Sequence, residues 1–212
     1  MPEGDLRLNA PESNLLPLRT PRLELRFLKV GDADALAAYR GRPEVCRYVP
    51  FEPMDAAEVR RRIEGPWAGR ELREDGDVLI VGAVRHDGVV LGDLMLRLTA
   101  VEHGCGELGY VLDPEHGGLG YATEAAHAVL HLAFDVVGLR RVVARVDAEN
   151  TASASLLERL GMRCEAHLVE NEWFKGRLAD ELDFAMLSRE WQARHDDGSD
   201  PARGWCPVEP PR

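Results

Sequence analysis

Lysine is nearly missing from this sequence: Lys29 and Lys175 are the only two in 212 residues, and arginine carries the rest of the positive charge. The net charge is −11. That balance argues against nucleic acid as a partner, because phosphate binding is driven by clustered Lys and Arg. It fits a cationic acceptor better than an anionic one, although an acidic excess also serves solubility. No apolar run approaches the ~20 residues that span a bilayer. The opening MPEGDLRLNA has neither the basic region nor the apolar stretch of a secretory signal. These absences predict a cytoplasmic protein with no membrane partner. Cysteine is sparse and scattered, at Cys46, Cys105, Cys164 and Cys206. With no CxxC pair and no His/Cys cluster at metal-ligand spacing, the expectation is free thiols and no metal. Internal repeats and low-complexity blocks are also missing.

What is present suits one domain: 45% hydrophobic and 30% charged residues are ordinary for a globular chain of this length. An irregular lead-in covers 1–17, the domain 18–192, and a polar, proline-rich tail 193–212. Alternation over 18–28 turns Leu23, Leu25 and Phe27 to one side and predicts a strand. Asp32 is positioned to cap a helix over 33–40, and a second helix covers 55–63. Strands over 77–86 and 89–98 are joined by Asp87-Gly88, a hairpin signal because both residue types tolerate positive φ. A strand over 107–112 stops at Asp113-Pro114. A helix over 118–137 then gathers Ala122, Ala125, Ala126, Val129, Leu130, Ala133 and Val136 on one face. A strand over 141–146, a helix over 150–160 closed by Gly161, and strands over 163–169 and 181–187 complete a sheet.

The chemistry is concentrated between Tyr110 and Ala125, YVLDPEHGGLGYATEA. A strand feeds a glycine-rich turn that opens a helix, so backbone N–H groups and the helix dipole converge on one point. That is an anion site suited to a diphosphate. Gly118 and Gly120 let the backbone approach the oxygens where a Cβ would intrude. A dinucleotide fold is disfavoured, since its third glycine would fall on Thr123 and the early βαβ unit is missing.

From Pro114 to Ala125 the chain follows P-x-x-x-G-x-G-Y-A-T-E-A. A second motif, N-x-x-S-x-x-L-x-x-x-L-G-M, is matched by Asn150, Ser153, Leu156, Leu160, Gly161 and Met162. In these two motifs, in the opening LRTPRLELRFLKVGDADAL and in the closing GRLADELDFAMLSREW, residues 18–191 resemble the GNAT acetyltransferase superfamily and its RimJ/RimL-type branch. The resemblance implies an α+β fold: a mixed, mostly antiparallel, twisted sheet of about seven strands flanked by helices, with two parallel strands splayed at the coenzyme site. It implies acetyl-CoA as co-substrate and an amine as acceptor, joined in a ternary complex, and it is compatible with a homodimer. The N–H groups of His116, Gly117, Gly118, Leu119, Gly120 and Tyr121, with Ala122 beside them, would hold the CoA diphosphate. The strands at 107–112 and 141–146 would part to admit the pantetheine arm as an added strand. A backbone N–H near Val111 or Leu112 would polarise the thioester. The Asn150 amide is suited to bonding the arm, or to capping the helix it opens, roles that do not exclude each other. Trp67, Tyr39, Tyr48, Phe51 and Trp173 fall in segments that line the acceptor side in this family.

Two departures stand out. Glu115 occupies the position where the wider superfamily's turn begins with Gln or Arg, and Leu157 replaces a frequent thiolate-protonating tyrosine. In this branch a serine three residues after the asparagine is the alternative donor, and here that is Ser153. A neutral amine is the nucleophile. An α-amine of pKa ~8 needs about 1.4 kcal/mol to be neutral at pH 7, and a lysine-like amine about 4.6 kcal/mol. A general base is therefore useful for the first and nearly required for the second. Glu107 is the candidate, with His116 second. Strand alternation puts Glu107, Gly109 and Val111 on one face, with Glu107 about 13 Å along a straight strand from Val111, so a bulge, a splay or a short water chain must close the distance if Glu107 is to act through water. The competing reading is an acyl-CoA-binding sensor of the same fold with weak catalysis.

Overall fold

The computed structural model describes residues 15–196. The strand read at 18–28 is two strands, β1 (Leu18–Arg19) and β2 (Leu23–Phe27). Pro21 lacks the N–H a continuous strand needs, and Thr20 closes the corner by donating its N–H to Leu23 O at 2.9 Å. Leu23 and Leu25 are fully buried, as the alternation requires. β3 (Val78–Arg85) and β4 (Val90–Ala100) form the expected hairpin. Its turn differs, because only Gly88 takes a positive φ. Gly88 N–H donates to Arg85 O and Arg85 N–H to Val89 O, both at 2.8 Å, which is the longer loop with a glycine bulge.

β5 (Cys105–Leu112), β6 (Arg141–Asp147), β7 (Arg163–Phe174) and β8 (Arg177–Leu187) complete a sheet of eight strands in the order β1-β2-β3-β4-β5-β6-β8-β7. That is one more strand than expected. β5 and β6 run parallel, and the other neighbours are antiparallel. β7 and β8 reach well beyond their predicted ends, to a two-residue tip where Lys175 (φ 46°) and Gly176 (φ 85°) are both left-handed.

Among the described residues the longer α-helices are α1 (Ala33–Arg40), α2 (Ala56–Glu64), α3 (Tyr121–His131), α4 (Thr151–Arg159) and α5 (Ser188–Asp196), with a single helical turn, Pro43–Cys46, between α1 and α2. Asp55 caps α2, accepting from Glu58 N–H at 2.7 Å. Asp32 does not cap α1; its carboxylate takes both Arg26 Nη groups at 2.7 and 2.8 Å and Lys29 N–H at 2.8 Å. α3 begins at Tyr121 and not at 118, since Gly118 (φ 75°) and Gly120 (φ 79°) lie outside helical backbone. It ends in a π-helical turn, Leu132–Val136, from which Asp135 receives Trp191 Nε1 and Gln192 Nε2, each at 2.8 Å. That carboxylate fastens α5 to the end of α3. α5 runs four residues into the stretch read as tail, and Leu15 and Leu16 pack in the core although they were read as lead-in. The remainder of the lead-in and tail, with Cys206, lies outside the described residues.

α3 and α4 cover one face of the sheet, over Leu23, Leu25, Leu94 and Leu96. α1 and α2 cover the other, with Leu36, Val59, Ile63 and Ile80. Among the described residues no helix is long and apolar enough to cross a membrane.

Candidate active site

The parallel pair makes the site. β5 and β6 are joined only at Cys105–Arg141, Gly106–Val142 and Glu107–Val143, and beyond Glu107 they part. β5 keeps an unshifted register with β4 from Gly106 to Leu112, so a splay opens the gap and not a bulge. Asp113 N–H donates to Leu91 O at 2.9 Å. By the antiparallel alternation, the N–H groups of Gly109 and Val111 then face β4 and those of Leu108, Tyr110 and Leu112 face β6; Leu108 is taken up by the last parallel rung, at Val143, and Tyr110 and Leu112 look across the gap. On the opposite wall, Ala148 N–H bonds Asp180 O and Ser188 N–H bonds Arg140 O. The same rule turns the backbone of Val143, Arg145 and Asp147 inward. Leu112 therefore offers a gap-side N–H, as the sequence suggested, whereas Val111 contributes its side chain.

A cavity of about 310 Å³ passes through the sheet at this gap. On the α4 side it is lined by Tyr110, Asn150 and Ser153; on the side of α1 and α2 by Arg40, Phe51, Trp67, Met95 and Glu107. The Tyr110 hydroxyl lies 2.7 Å from Ser153 Oγ. Burial pushes the Tyr110 phenol up to about 12 against the opposing pull of that hydrogen bond. Asn150 Oδ1 accepts from Ser153 N–H at 3.2 Å, which caps α4 and leaves the Nδ2 amide to donate into the cavity. Glu107 sits at the fork of the two strands, and Arg97 and Arg145 both bond its Oε2. Oε1 is thus the oxygen left to accept a proton.

The glycine-rich turn sits at the far end of β5. His116 N–H bonds Asp113 O at 3.1 Å and Gly117 N–H bonds Pro114 O at 3.0 Å. These two amides, expected in the cradle, are spent within the turn. The first helical bond is Glu124 N–H to Gly120 O at 3.1 Å, so the N–H groups from Gly118 to Thr123 form the open end of α3. Leu119 and the two glycines beside it are exposed, and a Cβ at Gly118 would meet nothing within 4 Å. Two features that sequence reading missed hold this turn. Glu124, fully buried, accepts from Thr20 Oγ1 (2.5 Å), Arg22 N–H (3.0 Å) and Arg22 Nε (2.5 Å). Arg22 Nη1 in turn donates to Leu119 O at 2.8 Å, and its guanidinium lies 4.4 Å from the Tyr121 ring centroid. Glu115 is neutralised from α1's C-terminal side by Arg42, at 2.6 Å.

On the α1 side, Asp93 is buried and takes Tyr39 OH at 2.5 Å, Arg40 Nε at 2.9 Å and Arg40 Nη2 at 2.5 Å. Burial, then the Asp93 charge, push the Tyr39 phenol well above its usual value. Burial opposes the Arg40 charge, but Asp93 outweighs it and holds that pKa above the ordinary arginine value. The segment carrying Tyr48 and Phe51 is pinned across the cavity by Lys175 Nζ, which donates to Cys46 O and Phe51 O at 2.7 Å each. Of the predicted aromatics, Trp67, Tyr48 and Phe51 line the cavity. Tyr39 lies behind it against Asp93, and Trp173 is 72% exposed on β7 and takes no part. His116 does not line the cavity either. A lone Asp93 within an apolar strand was the one sequence signal for the Asp93 cluster; nothing local marks Arg40 as its partner.

Residues 22–163 match the family described as Acetyltransferase (GNAT) domain. The chain is 34% identical to the uncharacterized N-acetyltransferase p20 of Bacillus licheniformis, over 82% of this chain and 97% of that one. It is 26% identical to a spermidine N(1)-acetyltransferase of Vibrio cholerae, over 75% and 89% of the two chains. In three dimensions it resembles a GNAT-family acetyltransferase of Bacillus anthracis with a TM-score of 0.73 and 24% identity, covering 82% of this chain and all of the other.

Proposed function

Because the chain belongs to the GNAT acetyltransferase family and is an acyltransferase, we propose that it moves an acetyl group from acetyl-CoA to a primary amine by direct attack in a ternary complex. Within the family we assign it to the RimJ/RimL-type branch, on the two motifs around Gly118–Gly120 and Asn150–Ser153. The observation that carries the reading is the cavity crossing the sheet at the splay, with a hydroxyl pair at one mouth and a carboxylate at the other.

The residues fit the coenzyme. The open N–H groups from Gly118 to Tyr121 suit the diphosphate, with Arg22 beside them. The gap-side amides of Leu112 and Tyr110 suit the pantetheine arm and, at its end, the thioester oxygen. Glu107 Oε1 would take the amine's proton through water while Arg97 and Arg145 fix the carboxylate. As the carbon–sulfur bond breaks, the Ser153 hydroxyl, backed by Tyr110, would meet the sulfur's developing charge. The sensor reading rested on Glu115 and on the missing tyrosine at Leu157; it is weakened because a phenol reaches the same region from β5 and Arg42 pairs with Glu115. The spermidine-acetylating relative supports an amine acceptor of some kind.

Gly120→Val tests the coenzyme site. Gly120 has a φ of 79°, and its Cβ would come 3.4 Å from Arg22 Nη2. Calorimetry should show acetyl-CoA binding lost with the circular dichroism unchanged. Wild-type affinity would remove the diphosphate from this turn.

A further inference from the structure

The chain between α1 and α2 is a loop with touching ends. Met54 N–H donates to Arg40 O at 3.0 Å, and Cys46 Sγ donates to the same oxygen at 3.2 Å. A Cβ on Gly41 would lie 2.8 Å from Ala37 O and 3.2 Å from Met54 O, so the neck is tight. Past the helical turn Pro43–Cys46 the chain is neither helix nor strand until α2. In this stretch Tyr48, Val49, Pro50 and Phe51 wall the cavity. A compact loop closed at its neck is a unit that can hinge there.

Cations fasten this loop to the sheet. Arg42, at the neck, pairs with Glu115. Arg47 reaches Glu149 at 3.5 Å, but both side chains are more than half exposed and such a pair is worth little. Lys175, at the tip of the β7–β8 hairpin, grips the far end. Its Nζ donates to Cys46 O and Phe51 O at 2.7 Å each, and Glu52 Oε1 lies 3.5 Å away. Three oxygens around one nitrogen suit the donors of an ammonium and not the planar fork of arginine. Lysine occurs twice in this arginine-rich chain, and here the compact cation is what the geometry demands. Lys175 serves from left-handed backbone (φ 46°), which a residue with a side chain adopts at a cost.

In the ternary complex the coenzyme fills the mouth beside α4. The loop's side is left for the acceptor to enter and for the acetylated product to leave. We propose that residues 41–53 form a strap that lifts for this passage, and that Lys175 is its latch. Lys175 is then a positioning residue, acting through Tyr48 and Phe51 and touching neither substrate nor coenzyme. This rests on the acetyl-transfer reading above and adds the step that admits the acceptor.

Opening of the strap is measured without any acceptor. Cys46 is 1% exposed at the neck, so iodoacetamide reaches it when the strap lifts, and the exposed Cys164 is the reference thiol in the same sample. Labelling is followed peptide by peptide in mass spectrometry. Lys175→Met should label Cys46 about tenfold or more faster than wild type, with the Cys164 rate and the circular dichroism unchanged. Lys175→Arg should fall between the two. In turnover with phenylalaninamide, 2-phenylethylamine and spermidine as trial amines, Lys175→Met should raise the KM of the accepted amine severalfold. The KM of acetyl-CoA should stay put, a split that general loosening does not give. An unchanged Cys46 rate in Lys175→Met, or both KM values rising together, overturns the latch and leaves acetyl transfer intact. If no amine is acetylated the parent reading falls, and the passage with it, whatever the labelling shows.

Discussion

Tyr110→Phe removes one oxygen from the α4 side of the cavity, and its consequences divide cleanly between stability and rate. The lost hydroxyl hydrogen-bonds Ser153 Oγ at 2.7 Å. Deleting it should cost about 1 kcal/mol of stability, small against the roughly 5–15 kcal/mol of a typical domain. The variant should therefore fold. Its rate depends on what the phenol does. With the phenol raised to about 12, full transfer of its proton to a thiolate of pKa ~8.5 is uphill by about 5 kcal/mol. On the proposed mechanism the Tyr110–Ser153 pair would consequently act as a hydrogen-bond donor to the departing sulfur without handing over its proton. A charge-assisted bond of that kind contributes about 1.5–3 kcal/mol, or roughly ten- to hundredfold in rate. In single-turnover measurements at saturating acetyl-CoA, Tyr110→Phe should lose about that factor in kcat, with KM for acetyl-CoA changed far less. Because the phenol stays protonated across the assay range, the wild-type profile should show no basic limb that disappears in the variant. A chemistry-limited kcat equal to wild type would refute the reasoning and return Tyr110 to packing.

Three further outcomes follow from named contacts. Glu107→Gln keeps the shape of the side chain and should cost at least about tenfold in kcat/KM, with loss of the acidic limb of the pH profile; retention of both would send the search for the base elsewhere. Glu124→Gln weakens the buried anchor of the turn, and calorimetric melting should report a loss of about 2 kcal/mol together with weaker acetyl-CoA binding; unchanged melting would mean that Thr20 and Arg22 hold the turn without the charge. Glu165 is drawn down to about 2, chiefly by its hydrogen bond to Arg141 and then by Arg163. A lowered carboxylate pKa gives stability that is present above the unfolded value, near 4.5, and lost as pH falls toward 2. Glu165→Gln should thus melt earlier than wild type at pH 7, with the gap closing through that acid window. A gap that persists at pH 2 would contradict the assignment.

How much of this was legible depended on whether a feature was imposed by the backbone or by distant packing. Gly118 and Gly120 had to be glycine because the turn holds both at positive φ, and such a demand is visible in any sequence. Asn150 and Gly161 bracket α4 for the same local reasons. The Tyr110–Ser153 pair spans 43 positions and the Arg40–Asp93 pair 53, and no periodicity encodes either. β7 was read short because its residues are almost all exposed. With neither face in a core, the alternation that betrays a strand is lost. α3 was begun too early because the pattern of buried alanines says nothing of the left-handed residues just before it. Glu124 was passed over for a related reason: within a motif it looks like a helix-surface acid, and only the fold brings Thr20 and Arg22 onto it.

The central claim is that one chain binds acetyl-CoA and passes the acetyl group to an amine. The most direct measurement incubates the protein with acetyl-CoA and an amine panel, following free thiol by colour and acetylated amine by mass spectrometry in the same sample. The account predicts thiol and acetylated amine appearing in equal amounts, for at least one amine, and both suppressed in Gly120→Val. Thiol without acetylated amine would make the protein a thioesterase, and tight acetyl-CoA binding with neither product would make it a sensor; either result would contradict acetyl transfer to an amine.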